Sequence, residues 1–183
     1  MDGSVQDEMG AARETAAKFL RAKGFQVEVI KLKDQEIADC TGCFGCWTRT
    51  PGRCVIPDDG VKVASEFSTS DLVVFLTPVT FGGYSYQLKK ALDRSICSLL
   101  PFFHKVHGEV HHVRRYENVQ RIVTIGLLPG RDEEVQKVFA VLVERNSFNM
   151  QPVGWASTLV FLDERPELSA IAVKEALIKA GVE

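Results

Sequence analysis

The 183-residue sequence lacks the features that mark several classes of protein. Its 22 Lys and Arg residues nearly balance 24 Asp and Glu residues, for a formal net charge of −2. This balance excludes the basic surface that a nucleic-acid-binding protein needs. No apolar run approaches the roughly 20 residues that cross a bilayer, so no membrane partner is expected. The first residues have neither a basic stretch nor an apolar core, so we expect no signal peptide and a cytoplasmic protein.

The chain also lacks internal repeats, low-complexity tracts and interdomain linkers, so residues 1–183 are predicted to form a single domain. Short β-rich runs alternate with helical periodicity, which favours an α/β fold with a parallel sheet and right-handed crossovers. Strands are predicted at residues 25–32, 71–76, 121–126 and 156–162. Helices are predicted around residues 12–23, 59–67, 88–99 and 135–142 and from residue 168.

Cysteine is the unusual component of this composition, because four of the five cysteines fall between residues 40 and 54. In a reducing compartment, clustered cysteines bind a metal or take part in redox chemistry more often than they form disulfides. Three thiols at two-residue intervals, with a fourth after seven further residues, are typical of a [4Fe–4S] site formed by Cys40, Cys43, Cys46 and Cys54. Free or redox-active thiols and a zinc site remain alternatives. Cys97 is predicted to be a small core residue.

Glycine-containing loops follow the predicted strands, at the sheet edge where ligands bind in folds of this kind. Residues 77–85 lead into a helix, and Phe81 and Tyr84 offer flat apolar faces there. Residues 126–130 form a second such loop. A third runs from Gly3 into the first helix, where backbone N–H groups can hold a phosphate.

The stretch from residue 101 to residue 118 is predicted to be irregular and contains all four histidines. Their spacing matches no helical pair of metal ligands. A solvated or dimer-facing loop is therefore predicted, without a metal site.

Three motifs carry a resemblance to a known family. They are Gly3-Ser4 before a helix, Cys40-Thr-Gly-Cys-Phe-Gly-Cys46 followed by Pro51-Gly-Arg-Cys54, and Thr77-Pro-Val-Thr-Phe-Gly-Gly83 followed by Gln87-Leu-Lys-Lys-Ala-Leu-Asp-Arg94. With them the sequence resembles the NAD(P)H-dependent FMN reductase family, and most of all its iron–sulfur flavoprotein branch. The resemblance implies a flavodoxin-like three-layer fold, bound FMN and a homodimer or tetramer.

The resemblance also implies where FMN binds: the segment from Pro78 to Gly83 lines the isoalloxazine ring, and the loop from Ser4 holds the ribityl phosphate. Arg13 is expected to assist from the first helical turn, because Gln6 stands where members usually carry a basic residue. The loops and the resemblance together predict these cofactor-binding residues: Gly3, Ser4, Gln6, Arg13, Pro78, Val79, Thr80, Phe81, Gly82, Gly83 and Gly126.

The first strand of the fold is expected to be missing from this chain. Members of the family begin with a central strand, whereas only Met1 and Asp2 precede Gly3 here. Either the chain starts late or the sheet has four strands. In the second case the neighbouring strands leave a gap or pair directly.

The predicted function is that of an FMN-dependent oxidoreductase. It would take a hydride from NAD(P)H and pass electrons to an unidentified acceptor, with a [4Fe–4S] centre as a step on the way. No side chain is predicted to act as an acid or base, because the cofactor carries the chemistry. Two alternatives stay open: a flavodoxin-like electron carrier without its own substrate, and a zinc-stapled module without catalytic activity.

Overall fold

The computed structural model describes residues 3–118 and 120–183, with side chains from Glu8 onward. The α-helices of this part are α1 (Gly3–Ala22), α2 (Gly45–Thr48), α3 (Asp59–Thr69), α4 (Tyr86–Arg94), α5 (Glu133–Met150) and α6 (Pro166–Lys179). Its strands are β1 (Leu72–Pro78), β2 (Leu99–Val106), β3 (Glu109–Arg114), β4 (Arg121–Leu128) and β5 (Gly154–Phe161). None of the helices described is both long and apolar enough to cross a membrane.

The centre of the fold is a parallel three-stranded sheet in the order β1-β4-β5. Residues 122–128 of the middle strand are buried without exception, which explains why this segment is a nearly continuous apolar run rather than an alternating one. The sheet register places Leu72 opposite Arg121 and Gly126 opposite Leu159. The strands predicted at 71–76, 121–126 and 156–162 are therefore confirmed.

Helices cover both faces of this sheet. α1 and α6 pack on one face, where Ala16 and Leu177 join Ile125 in the main hydrophobic core. On the opposite face α3 contributes Phe67, whose ring stacks on that of Phe75 with centroids 6.0 Å apart. The predicted α/β three-layer arrangement with a parallel sheet is confirmed.

The predicted strand at residues 25–32 is wrong. This segment has no strand partner among the described residues, and it ends in a 3₁₀ turn at Leu32–Asp34. Phe25 and Val27 still pack against the core. The alternation of apolar and polar residues that favoured a strand therefore reflects an extended segment with one face against the core. A strand also needs a neighbouring backbone to pair with, and the described chain supplies none at this position. The sheet thus has three strands rather than four in the part of the chain described.

The edge of β1 that faces away from β4 has no strand partner among the described residues. The backbone N–H of Arg121 donates to the carbonyl of Asp71, and the N–H of Val79 donates to the carbonyl of Leu127. The backbone N–H and C=O groups of the odd-numbered residues of β1 therefore point toward β4. The backbone groups of Leu72, Val74 and Leu76 point the other way, and no backbone group in residues 3–118 or 120–183 pairs with them. The first strand of the fold, expected from the sequence to be missing, is not found among the described residues, and no other described strand takes its place beside β1.

The stretch predicted to be irregular at residues 101–118 is mostly an antiparallel hairpin of β2 and β3. Its turn consists of His107 and Gly108, which both have positive φ values, of 51° and 85°. Two residues of this conformation form the tight turn that suits the twist of a hairpin. The third predicted helix is correspondingly shorter, because α4 ends at Arg94 and a 3₁₀ turn leads into β2 at Leu99.

Candidate functional site

A cleft of about 810 Å³ lies between α4, the hairpin, α5 and the segment 38–58, which we call the cysteine loop. All four predicted ligand cysteines line this cleft: Cys40, Cys43, Cys46 and Cys54. Gly83 and Tyr84, which follow β1, line it from the other side. The cysteine loop and the end of the segment after β1 therefore share one cavity.

The four thiols differ in exposure. Cys40 and Cys43 are exposed, Cys54 is half-buried and Cys46 is buried in α2. The chain can turn tightly between them because Gly42 adopts a φ of 63°. Within residues 3–118 and 120–183, no three His, Cys, Asp or Glu side chains converge closely enough to hold a single metal ion.

Local hydrogen bonds and burial shift the acidity of these thiols in opposite directions. The pKa of Cys43 is lowered below its usual value by the backbone N–H of Gly45, by the Thr41 hydroxyl and by the charge of Arg49. Burial raises the pKa of Cys46. Burial also raises the pKa of Cys97, which packs with Cys46 and Ala64, so the prediction that Cys97 is a core residue is confirmed.

We expect these differences to set the order of alkylation in reduced, metal-free protein. With iodoacetamide near neutral pH, Cys43 should react at least about tenfold faster than Cys97, because the thiolate is the reacting form and Cys43 is exposed. Peptide mass spectrometry after short labelling times measures both rates. In denaturant the two rates should converge, and a Cys97 that reacts as fast as Cys43 in the folded protein would contradict the described burial.

The predicted ring-binding segment from Pro78 to Gly83 ends in a tight turn. Thr80 and Gly83 exchange two backbone hydrogen bonds of 2.9 Å each, and Phe81 and Gly82 between them have φ values of 51° and 75°. A left-handed conformation is strained for phenylalanine, and the Phe81 side chain is fully exposed. Only Gly83 of the six predicted residues lines the cleft.

The far end of this segment is firmly held. The backbone N–H of Ser85 donates to the Thr77 hydroxyl over 3.0 Å, and the Ser85 hydroxyl caps α4 by accepting from the N–H of Leu88. Tyr84 lies half-buried against Phe139 and accepts a hydrogen bond from Asn146. The segment therefore presents an exposed tip on a fixed base.

The predicted phosphate loop is not formed, because α1 already begins at Gly3 and includes Ser4 and Gln6. No described strand precedes these residues to hold them in a loop, and the segment 8–12 contains good helix formers, so the helix extends through it. Arg13 lies about three turns into α1 rather than in the first turn, and its guanidinium is 3.7 Å from the carboxylate of Glu14. The side chains of residues 3–7 lie outside the described part.

Gly126, predicted to lie in a ligand-binding loop, lies inside β4. A Cβ atom at this position would approach Phe139, Leu159 and Val79 to within 2.7–2.8 Å. The close packing of the sheet against α5 and the neighbouring chain thus accounts for this glycine.

Sequence reasoning missed the charged pair beneath the cysteine loop. Arg94 is 1% exposed and makes two 2.7 Å hydrogen bonds to the carboxylate of Asp58. The sequence indicates Asp58 only as a candidate cap of α3, which it also is, because it accepts from the N–H of Gly60. No local sequence pattern links residues 58 and 94, so the pair is identified only from the folded structure.

Solved structures define the class of fold. The chain is similar to an NAD(P)H:quinone oxidoreductase from Methanothermobacter marburgensis, with a TM-score of 0.68 and 11% identity over 96% of this chain and 92% of that one. It is also similar to an FMN-dependent NADH-azoreductase from Bacillus anthracis, solved with FMN, with a TM-score of 0.58 and 13% identity over 93% of this chain and 89% of that one. At such identities the likeness shows the fold alone. The chain has the predicted flavodoxin-like fold.

The family follows from the sequence match. A family profile described as NADPH-dependent FMN reductase matches residues 9–121, which are more than half of the chain, so the chain belongs to this family. An iron–sulfur flavoprotein of Methanocaldococcus jannaschii is 36% identical to it over 80 residues, or 44% of this chain and 40% of that protein. The match thus spans about two fifths of that curated relative's length.

Proposed function

We propose that this chain is an FMN-dependent oxidoreductase that takes electrons from NAD(P)H and passes them to an acceptor through a [4Fe–4S] cluster. Cys40, Cys43, Cys46 and Cys54 would hold the cluster. The observation that carries the proposal is that all four thiols line one cleft with Gly83, at the end of the predicted ring-binding segment. Gly83 thus joins the predicted FMN-binding segment to the cleft that the four thiols line.

The residues of the cysteine loop fit a cluster in their chemistry. Four thiolates from one short loop are a common ligand set for [4Fe–4S], which supplies one-electron transfer when bound. The N–H of Gly45 and the hydroxyl of Thr41 favour the thiolate form of Cys43. Cys46 is shielded from water by its burial in α2, which limits loss of a ligand to solvent.

For FMN, the ring end of the predicted site fits and the phosphate end does not. At the tip of the turn, the N–H groups of Phe81 and Gly82 have no acceptor among the described residues, so they are available to a ring oxygen or nitrogen. FMN supplies hydride acceptance when bound, and the chain's part is to orient the ring. Gly3, Ser4 and Gln6 lie in a helix rather than a phosphate loop, so no phosphate contact is assigned to them.

Anaerobic reconstitution tests the proposal. Wild-type protein should bind about one FMN and about four irons with matching sulfide, and should oxidise NAD(P)H when an artificial acceptor is present. Cys54→Ala should lose most of the iron, whereas Cys97→Ala should keep it, because Cys97 lies in the core and does not line the cleft. Iron, sulfide and flavin analysis with an absorption spectrum measures the loading of each variant.

The same samples distinguish the other functions. A reducible flavin without NAD(P)H oxidation would favour an electron carrier reduced by a partner protein. Zinc without iron, with unfolding on chelation, would favour a zinc-stapled module. Protein that takes up neither flavin nor iron would contradict the proposal.

We also propose that the protein forms a homodimer or tetramer. Large apolar side chains of the hairpin are exposed in the single chain, namely Phe102 at 66%, Phe103 at 63% and Val110 at 64%. Several exposed large apolar side chains on one short hairpin favour a protein interface there. The molar mass from light scattering tests this part of the proposal.

A further inference from the structure

The proposed electron transfer leaves one buried charged group without a role, the guanidinium of Arg94. A guanidinium has five N–H donors, and the hydrogen bonds of Arg94 reach four acceptor atoms. Two go to the carboxylate of Asp58, at 2.7 Å each, one to the carbonyl of Ala38 at 2.9 Å, and one to the carbonyl of Ile56 at 3.3 Å. A side chain from α4 is thus bonded to three points on the cysteine loop.

Ala38 lies at one end of the loop, and Ile56 and Asp58 lie at the other. Ala38 lies two residues before Cys40, and Ile56 lies two residues after Cys54. Asp58 joins the ends directly as well, because its carboxylate accepts the backbone N–H of Ala38 at 2.8 Å. Arg94 and its carboxylate partner therefore close the loop at its base and set how far apart Cys40 and Cys54 can lie.

The remaining donor, Nε–H, is buried and has no acceptor among the described residues. Arg94 and Cys54 line the same cleft. A buried N–H without an acceptor, on a residue that lines the cleft with the four thiols, can be satisfied by a sulfur acceptor bound there.

The neighbouring backbone leaves room for this pair. At Gly60 an added Cβ would approach the Asp58 carboxylate to 2.9 Å and the Arg94 guanidinium carbon to 3.1 Å. One turn earlier on α4, Lys90 donates to the carbonyl of Ile37 at 2.8 Å. Two cationic side chains of α4, Lys90 and Arg94, thus donate hydrogen bonds to the consecutive carbonyls of Ile37 and Ala38.

We infer that Arg94 is the positioning residue of the cysteine loop: it ties residues 38, 56 and 58 together so that Cys40 and Cys54 face one cluster, and it offers Nε–H to the sulfur side of the site. The inference rests on the proposed function, because it assigns Arg94 a role toward the cluster proposed there. Arg94 acts through the loop and takes no direct part in electron transfer from NAD(P)H.

The test compares Arg94→Lys with wild type and with Lys62→Gln, which removes an exposed cation paired with Glu28 at the surface. Lysine keeps the charge but has three donors on one atom in place of the planar fork of five, so it cannot reproduce the four hydrogen bonds of Arg94. In reconstituted Arg94→Lys protein, iron should be lost to a chelator about tenfold more readily. The cluster that forms should have a more negative reduction potential, because its reduced form loses a nearby N–H donor. Lys62→Gln should match wild type in both.

A second measurement needs no cluster. Arg49 and Arg53 lie within the loop, so trypsin can report its opening in metal-free protein. Cleavage at these sites should be about tenfold faster in Arg94→Lys than in wild type. Asp58→Asn keeps a capping side chain for α3 but loses the carboxylate, and it should shift iron retention and cleavage in the same direction.

The outcomes separate the two proposals. If wild type loads iron, and Arg94→Lys holds it as firmly at an unchanged potential, the role of Arg94 is wrong while the proposed function stands. If wild type takes up no iron, the proposed cluster is wrong and the role of Arg94 falls with it. Circular dichroism of each metal-free variant shows whether it is folded, and Asp58→Asn provides the test if Arg94→Lys is not.

Discussion

Replacing Asp58 by alanine is expected to lower the free energy of unfolding by about 4 kcal/mol. The substitution leaves Arg94, which is 1% exposed, with a positive charge and no carboxylate to balance it. It also removes the cap of α3 and the acceptor of the Ala38 N–H. Urea unfolding of metal-free protein measures the loss, and the melting temperature should fall by about 10 °C.

Asp93→Ala is the matched control for Asp58→Ala. Asp93 also pairs with a cation, Lys89, but both side chains are about half-exposed, so its loss should change the free energy of unfolding by less than about 1 kcal/mol. Equal effects of the two substitutions would contradict the buried pair as a major source of stability.

The pH dependence of the same pair has a defined sign. Burial acts to raise the pKa of Asp58, but the hydrogen bond from Arg94 and those from the N–H groups of Ala38 and Gly60 outweigh it, so its pKa is lowered in the folded protein. A carboxyl pKa that is lowered by folding adds stability at pH values above the pKa of the unfolded chain, which is about 3.9 for aspartate. This contribution is lost as the pH falls through the pKa of the folded protein. The difference in free energy of unfolding between wild type and Asp58→Ala should therefore be largest at neutral pH and should decrease below about pH 4.

Gly126→Ala is expected to be the second most damaging of these substitutions, with a loss of about 3 kcal/mol. The new Cβ would approach the ring of Phe139 to 2.7 Å and side chains of Leu159 and Val79 to 2.8 Å. Residues around it in β4 are all buried, so the strand cannot move aside without disturbing both neighbours.

Gly10→Ala serves as the control for the glycine substitution. Gly10 lies within α1, and no described atom lies within 4 Å of the position that a methyl group would take there. Alanine at residue 10 should raise the free energy of unfolding by about 0.5–1 kcal/mol, because it favours the helix and restricts the unfolded chain. If Gly126→Ala proved as harmless as Gly10→Ala, the packing explanation for Gly126 would be wrong.

Sequence patterns within single segments were enough to predict three strands and the first helix. The strands β1, β4 and β5 came from apolar runs, and α1 from its periodicity and from Gly24, whose φ of 84° ends the helix. The segment 25–32 carries an equally good strand pattern but has no partner backbone in the described chain, and pairing is a property of the whole sheet. The His107-Gly108 turn was a usable hairpin signal, masked by the clustering of histidines around it.

The candidate site could be predicted in its residue types but not in its support. The four cysteines and Gly83 were identified from sequence and line one cleft. Gly126 shows the limit of such reasoning, since a glycine required by packing and a glycine in a binding loop are identical in sequence. Arg94 could not be found, because its partners lie 36, 38 and 56 residues away along the chain.

That separation has a consequence for synthesis on the ribosome. All four cysteines of the loop emerge before residue 94 does, and Arg94 cannot tie the base of the loop until α4 has formed and docked. Closing contacts so distant in sequence is slow compared with forming a helix. The nascent chain therefore passes through an interval in which its thiols are open to oxidants and stray metal ions, and a reducing environment protects it most during that interval.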